Sequence, residues 1–188
     1  EINGSPNGLA LGPDGDLYLC NNGNAFTKVD MGGLLYPGPF DPSRYIGGRI
    51  QRVNIATGVV TDLYTHCGEH QLRAPNDIVF DKHGGFYFTD HGTRDERTAD
   101  RTGIYYATTD GSSITEIAFP TDGPNGIGLS PSEDTLYWAE THTGRVYQRT
   151  ITSPGVLAPP DGASVVLCGL PGYQLLDSLA VDGDGNVC

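Results

Sequence analysis

An all-β fold of the propeller type is what this sequence predicts, and three observations predict it. One unit recurs four times: PNGLALGPDGDLYLC (6–20), PNDIVFDKHGGFYFT (75–89), PNGIGLSPSEDTLYWAE (124–140) and LDSLAVDGDGNVC (176–188). Each copy is a polar residue, an apolar strand and a Gly- or Asp-bearing turn, and the first three continue into a second strand that ends near an aromatic. Between copies lie further strand–turn–strand segments. Nowhere do apolar residues follow a helical period over three turns, and 27 Gly and 13 Pro in 188 residues would interrupt any long helix.

The second copy shows how the elements are read. Ile78–Phe80 is a strand, Lys82-His83-Gly84-Gly85 a tight turn and Phe86–Thr89 the return strand, because apolar β-formers flank glycine-bearing punctuation. The segments 47–64 and 103–119, and 144–151 with 164–170, each supply two outer strands, which completes a four-stranded sheet per copy. The polar markers Asn7, Asn76, Asn125 and Asp177 stand 69, 49 and 52 residues apart, the first interval being stretched by the insertion MGGLLYPGPFDPSRY (31–45). A period near 40–50 residues with several short strands is that of propeller blades around a central channel. The chain enters a repeat almost at once and stops inside another. It therefore reads as a single propeller domain over 1–188, incomplete at both ends: an internal fragment of about four blades, expected to be weakly stable or self-associating alone.

Composition narrows the partners. A hydrophobic content of 37% and a mean hydropathy of −0.29 suit a globular core, and no apolar run is long enough to span a bilayer as a helix. The net charge of −12 argues against nucleic acid and anionic membrane surfaces as partners. Cys20, Cys67, Cys168 and Cys188 form no CxxC pair, so reduced thiols and a cytoplasmic location are expected, with a Cys67–Cys168 bridge the open alternative.

The innermost strand of each propeller blade runs along the channel, so a residue at one fixed position before it belongs to a ring around the mouth. Asn76, Asn125 and Asp177 hold that position in consecutive repeats, and their amide and carboxylate oxygens suit a hard divalent cation. Turn hydrogen bonding is the competing explanation for each residue singly, and the one preferred for Asn7. Asp90 and His91 end the FTDHG strand and are placed near the same mouth, with a plain loop role preferred for His91. DGDGN (182–186) reads as a hairpin turn, RDERTADR (94–101) as a solvated loop over the mouth, and the 31–45 insertion as a cap for the pocket.

RAPNDIVFDKHGGFYFTD, DGPNGIGLSPSEDTLYWAET and GYQLLDSLAVDGDGNVC together resemble the SMP-30/gluconolactonase/LRE family, the regucalcin group, in order and spacing. The resemblance implies a six-bladed propeller with one divalent metal in the channel: Ca²⁺ first, with Zn²⁺ and Mg²⁺ as alternatives. It implies Asn125 and Asp177 as metal ligands, Asp177 also as the catalytic base, and Asn76 as a substrate-binding residue that also touches the metal. The family's Glu ligand, in an EGP-like motif, has no match, because Glu1 stands in no such motif. Its substrate-binding Arg falls where Ala74 stands, one residue from Arg73. The implied activity is metal-dependent hydrolysis of a small-molecule sugar lactone, with the isolated chain inactive. The alternatives are a non-catalytic binding platform and a paraoxonase-like or strictosidine-synthase-like enzyme on a related propeller. Substrate identity and oligomeric state are left open.

Overall fold

The computed structural model describes residues 2–188 and consists of β-sheets, with one 3₁₀ turn at Gly162–Val165 and no α-helix among the described residues. In chain order, β1 (Pro6–Leu11) and β2 (Leu17–Asn21) form the first hairpin. β3 (Phe26–Asp30) and β4 (Leu35–Phe40) form a separate two-stranded ribbon from the insertion, and β5 (Arg49–Val53) and β6 (Val60–Tyr64) complete the first sheet in the order β1-β2-β5-β6. A short ribbon, β7 (His66–Cys67) and β8 (His70–Gln71), leads to the second sheet of β9 (Pro75–Phe80), β10 (Gly85–Asp90), β11 (Thr102–Thr108) and β12 (Ile114–Thr121). The third sheet holds β13 (Pro124–Leu129), β14 (Thr135–Glu140) and the long β15 (Arg145–Ser153). Its fourth position is shared by β16 (Val156–Leu157) and β17 (Val166–Gly169), which pair different parts of β15. Residues 176–188 open a fourth copy: Ala180 and Cys188 exchange backbone hydrogen bonds of 3.0 and 2.9 Å across a turn that Asp182 organises. The expected blades are thus three whole sheets and the start of another. DGDGN is the turn its sequence suggested.

Apolar side chains follow the two faces of each sheet. Phe86 and Phe88 of β10 point into a core shared with Tyr18, Ile50 and Tyr64 of the first sheet, while Tyr87 joins Ile127, Leu136 and Trp138 of the third. Every residue of β10 is consequently buried. This explains why GFYFTD shows no polar alternation: neighbours cover both faces. On β1, by contrast, Leu9 and Leu11 are exposed. All four cysteines are free.

Asn7, Asn76 and Asn125 do not precede the inner strands but lie inside them, whereas Asp177 lies outside any strand. In each complete sheet the inner hairpin carries the same bulge, in which two residues face one. Asn7-Gly8 oppose Cys20, Asn76-Asp77 oppose Thr89, and Asn125-Gly126 oppose Ala139. Beside each bulge a buried polar residue closes the second strand: Asn21, Asp90 and Glu140, paired respectively with Pro6, Pro75 and Pro124. Asp90 accepts hydrogen bonds from the backbone N–H groups of Arg73 (2.6 Å), Ala74 (2.7 Å) and Gly92 (3.0 Å), as Asn21 does from Ser5 and Gly23. Asp90 therefore does not line the mouth as its sequence position suggested. It is a buried clip that orients the chain entering β9.

Asp90→Ala should leave three buried N–H groups without an acceptor, at about 1–3 kcal/mol each, so a loss of at least about 3 kcal/mol is expected in urea denaturation. Asp90→Asn, which keeps one oxygen, should cost less. Burial raises the Asp90 carboxyl to about 6 against the three N–H bonds that lower it, whereas an unfolded Asp titrates near about 3.9. The folded chain therefore binds the extra proton between those values, and this group's contribution to stability grows as pH falls through that window. Asp90→Asn should remove that component of the pH dependence. A slope identical to that of the unmodified chain would contradict it.

Candidate functional site

Antiparallel pairing puts the starts of the inner strands, the loops after β2, β10 and β14, and the β3–β4 ribbon at one end of the sheets. One backbone bond repeats there: Asn22, His91 and Thr141 donate to the carbonyls of Ser5, Ala74 and Gly123. Each bulge is thereby flanked by a side chain from the loop that follows the second strand.

Inner strands of adjacent sheets approach backbone to backbone. A Cβ on Gly8 would stand 2.5 Å from the Asn76 carbonyl oxygen, and one on Gly126 would overlap the backbone nitrogen of Leu179. Glycine is required because the next strand occupies that space. The contacts continue as hydrogen bonds: the Asp77 carboxylate accepts from Ile127 N–H at 3.1 Å, Thr89 Oγ1 donates to the Asn125 carbonyl at 2.6 Å, and Gly126 N–H donates to the Asp177 carbonyl at 3.0 Å. Asn76 and Asn125 accordingly hold the same bulge position in successive inner strands, and the Asp177 backbone, which lies outside any strand, runs against Gly126.

Their surroundings differ. Asn125 is buried and its amide nitrogen donates to Thr141 Oγ1 at 3.1 Å; Thr141 in turn donates to the Leu176 carbonyl at 2.7 Å. This relay orients the Asn125 amide, leaving its oxygen with no donor among the described residues. Asn76 is half-buried and Asp177 exposed. Burial raises the Asp77 carboxyl above its ordinary range, and the Asp177 charge adds to the rise against two backbone donors. Negative charge therefore gathers at this end.

Two histidines stand at the same end. The His91 and His142 rings meet edge to face at 5.4 Å, and Phe26 from the β3 ribbon meets His91 at 5.9 Å. His91 Nδ1 donates to the Gly92 carbonyl at 3.3 Å, an arrangement that leaves Nε2 as the lone-pair nitrogen. Gly123, at φ 63°, lets the rings close in: a Cβ there would lie 2.6 Å from the His142 ring and 3.3 Å from His91 Nε2. His91 thus lies in the loop after β10, with its ring packed against Phe26 and His142.

Arg73, the near match to a substrate-binding Arg, is engaged elsewhere. Its Nε bonds Asp100 at 2.8 Å, and its guanidinium lies 5.2 Å from the Tyr45 ring centre. The 94–101 loop is exposed as expected, held at its base by Asp100 and at its side by the Arg94–Asp122 pair at 2.6 Å. Two surface clefts are also present: one of about 350 Å³ beside the hairpin turns at Asp81–His83 and Ser132–Asp134, and one of about 470 Å³ between β12 of the second sheet and β14–β15 of the third. Neither is lined by Asn76, Asn125 or Asp177.

Sequence reasoning missed Asp77, Thr141, His142 and Phe26. Aligning the strand ends CNNG, TDHG and AETH would have exposed the Asn22–His91–Thr141 register. His142 aligns with Gly23 and Gly92, so repetition carried no signal for it.

Burial first, then the neighbouring His142 and Arg94, hold the His91 imidazole below its ordinary value against the opposing Gly92 carbonyl and Asp177; burial and Arg94 do the same for His142. Both rings should be neutral at pH 7. NMR titration should place their midpoints below about 6.5, with His142→Gln moving the His91 midpoint upward. A midpoint above the ordinary value for His91 would refute this electrostatic picture.

Comparison with known proteins agrees with this architecture. Lactonase drp35 of Staphylococcus epidermidis is 29% identical over 187 residues, covering 100% of this chain and 50% of the relative. That of Staphylococcus saprophyticus is 31% identical over 183 residues, covering 97% and 49%. The chain spans about half the length of the curated relatives it matches. Among solved structures, the gluconolactonase XC5397 from Xanthomonas campestris superposes with a TM-score of 0.70 at 23% identity, over 97% of this chain and 54% of that one. A nidogen/laminin complex gives 0.60 at 19%, over 95% and 53%. At such identities the likeness is one of fold. The family model described as SMP-30/Gluconolactonase/LRE-like region matches residues 3–188, and the chain belongs to that family.

Proposed function

We propose that the protein carrying these repeats hydrolyses a small sugar lactone to its hydroxy acid at the mouth formed by the inner-strand bulges, with a divalent cation held by Asn76, Asn125 and Asp177. One observation carries this reading: the same bulge recurs at Asn76 and Asn125, the bond from Gly126 holds the Asp177 backbone alongside, and the Asn125 amide is oriented with its oxygen left for a ligand.

The residues fit a hard cation. The proposed donors are all oxygens, and the mutual repulsion of Asp77 and Asp177 marks negative charge that a cation would offset. Once bound, such an ion, Ca²⁺ first and Zn²⁺ or Mg²⁺ otherwise, would supply Lewis-acid polarisation of the lactone carbonyl. The chain's own groups do the rest. Asp177, exposed at the mouth, accepts the proton of the attacking water; Asn76 hydrogen-bonds the sugar; the neutral His91 and His142 rings and Phe26 form one wall. The free thiols accord with a cytoplasmic site of action. A fold shared with a nidogen/laminin complex does not by itself separate an enzyme from a binding platform. The oxygen-bearing register favours the enzyme.

The test separates ligand from base in a chain of the length of its relatives. Chelator should abolish lactone hydrolysis. Asn125→Ala should weaken metal affinity, with excess metal restoring part of kcat. Asp177→Asn, assayed with metal occupancy measured by calorimetry, should stay about 10²–10⁴-fold slower even when saturated. Turnover by saturated Asp177→Asn at the unmodified rate would remove Asp177 from the base role, and full activity in chelator would remove the cation.

A further inference from the structure

We propose that the cleft between the second and third sheets binds a small organic anion bearing an aromatic ring, at a site separate from the inner-strand mouth and independent of the lactonase reading. Its volume of about 470 Å³ is that of a small-molecule pocket. One wall is apolar: Phe119 is 59% exposed, and behind it Trp138 and Tyr147 stack at 5.4 Å with planes 9° apart. A ring entering the cleft would cover the exposed Phe119 on the outer strand β12.

The polar side of the cleft selects the charge. Arg149 is half-buried, and among the described residues its guanidinium donates only to the Ala158 carbonyl, through both Nε and a terminal nitrogen. Burial disfavours its charged form, with no carboxylate acting to offset this. Arg101, on the rim, likewise has no ion-pair partner among the described residues. In a chain with 23 acidic and 11 basic residues, two arginines face this cleft and neither is paired with a carboxylate among the described residues; a bound anion would complete both. The two carboxyls that also line the cleft are committed elsewhere. Asp122 pairs with Arg94 at 2.6 Å, and Glu140 is buried at the inner edge, where Trp138 Nε1 donates to it at 3.5 Å. A guanidinium pair beside an aromatic wall recognises an aromatic carboxylate.

Trp138 is the chain's one tryptophan, so its emission reports on this cleft directly. Titration with phenylacetate should change that emission saturably, while phenylacetamide, of the same shape without the charge, should bind about tenfold or more weakly. Arg149→Gln should weaken phenylacetate binding by about tenfold. Because Arg149 also ties the Ala158 carbonyl, Arg101→Gln on the exposed rim serves as the second variant, with a several-fold loss expected and circular dichroism unchanged. No saturable change with phenylacetate, equal affinity for the amide, or unaltered affinity in Arg101→Gln would each overturn the proposal.

Discussion

The closeness of neighbouring inner strands is the constraint on which the rest depends. Where Gly8 lies on Asn76-Asp77, and Gly126 on Ser178-Leu179, no side-chain atom fits between the two backbones. That contact fixes the spacing of the sheets, and the hydrogen bonds from Ile127 to Asp77 and from Gly126 to Asp177 fix their relative height. The bulges follow from it. At two of the three bulges the second residue is Gly8 or Gly126, which lets the backbones meet, and at the other it is Asp77, whose carboxylate takes the Ile127 N–H of the next strand.

Burial builds outward from that line. The second sheet is covered on both sides, by Tyr18, Ile50 and Tyr64 on one and Ile127 and Leu136 on the other, so the Phe and Tyr side chains of β10 are wholly buried. The loops that rise from this support carry the side chains of the candidate site: His91 after β10, Thr141 and His142 after β14, and Phe26 on the ribbon after β2. Asp90 links the two levels, since its carboxylate sits in the buried sheet while its three donors belong to the chain above.

Much of this was legible in the sequence, because it is local. Hairpins with glycine turns, outer strands and the four-fold unit depend on spacing within some 15 residues, and each was found where expected. Asn76 and Asn125 were recognised as equivalent for the same reason. Their place inside the strand was not legible: Pro-Asn-Asp lacks strand propensity, and the bulge exists through pairing with Thr89 and contact with a sheet some 50 residues away. Asp90 was misjudged because a terminal strand carboxylate looks the same whether it faces water or three buried amides. His142 was overlooked because its counterparts are glycines, so repetition, the strongest signal in this chain, was silent there.

The recurring bulge has a consequence for how such a mouth diversifies. Each copy presents one side chain from a socket built by its own hairpin, and the supporting ladder on either side is made of main-chain atoms that do not depend on that side chain's identity. Asn7, Asn76, Asn125 and Asp177 are nearly isosteric, so exchanging amide for carboxylate at a single copy changes the local charge by one unit with almost no change in shape. Duplicated units of this kind act as independently adjustable dials: the charge and polarity of the mouth can drift one position at a time without any intermediate having to remake the scaffold.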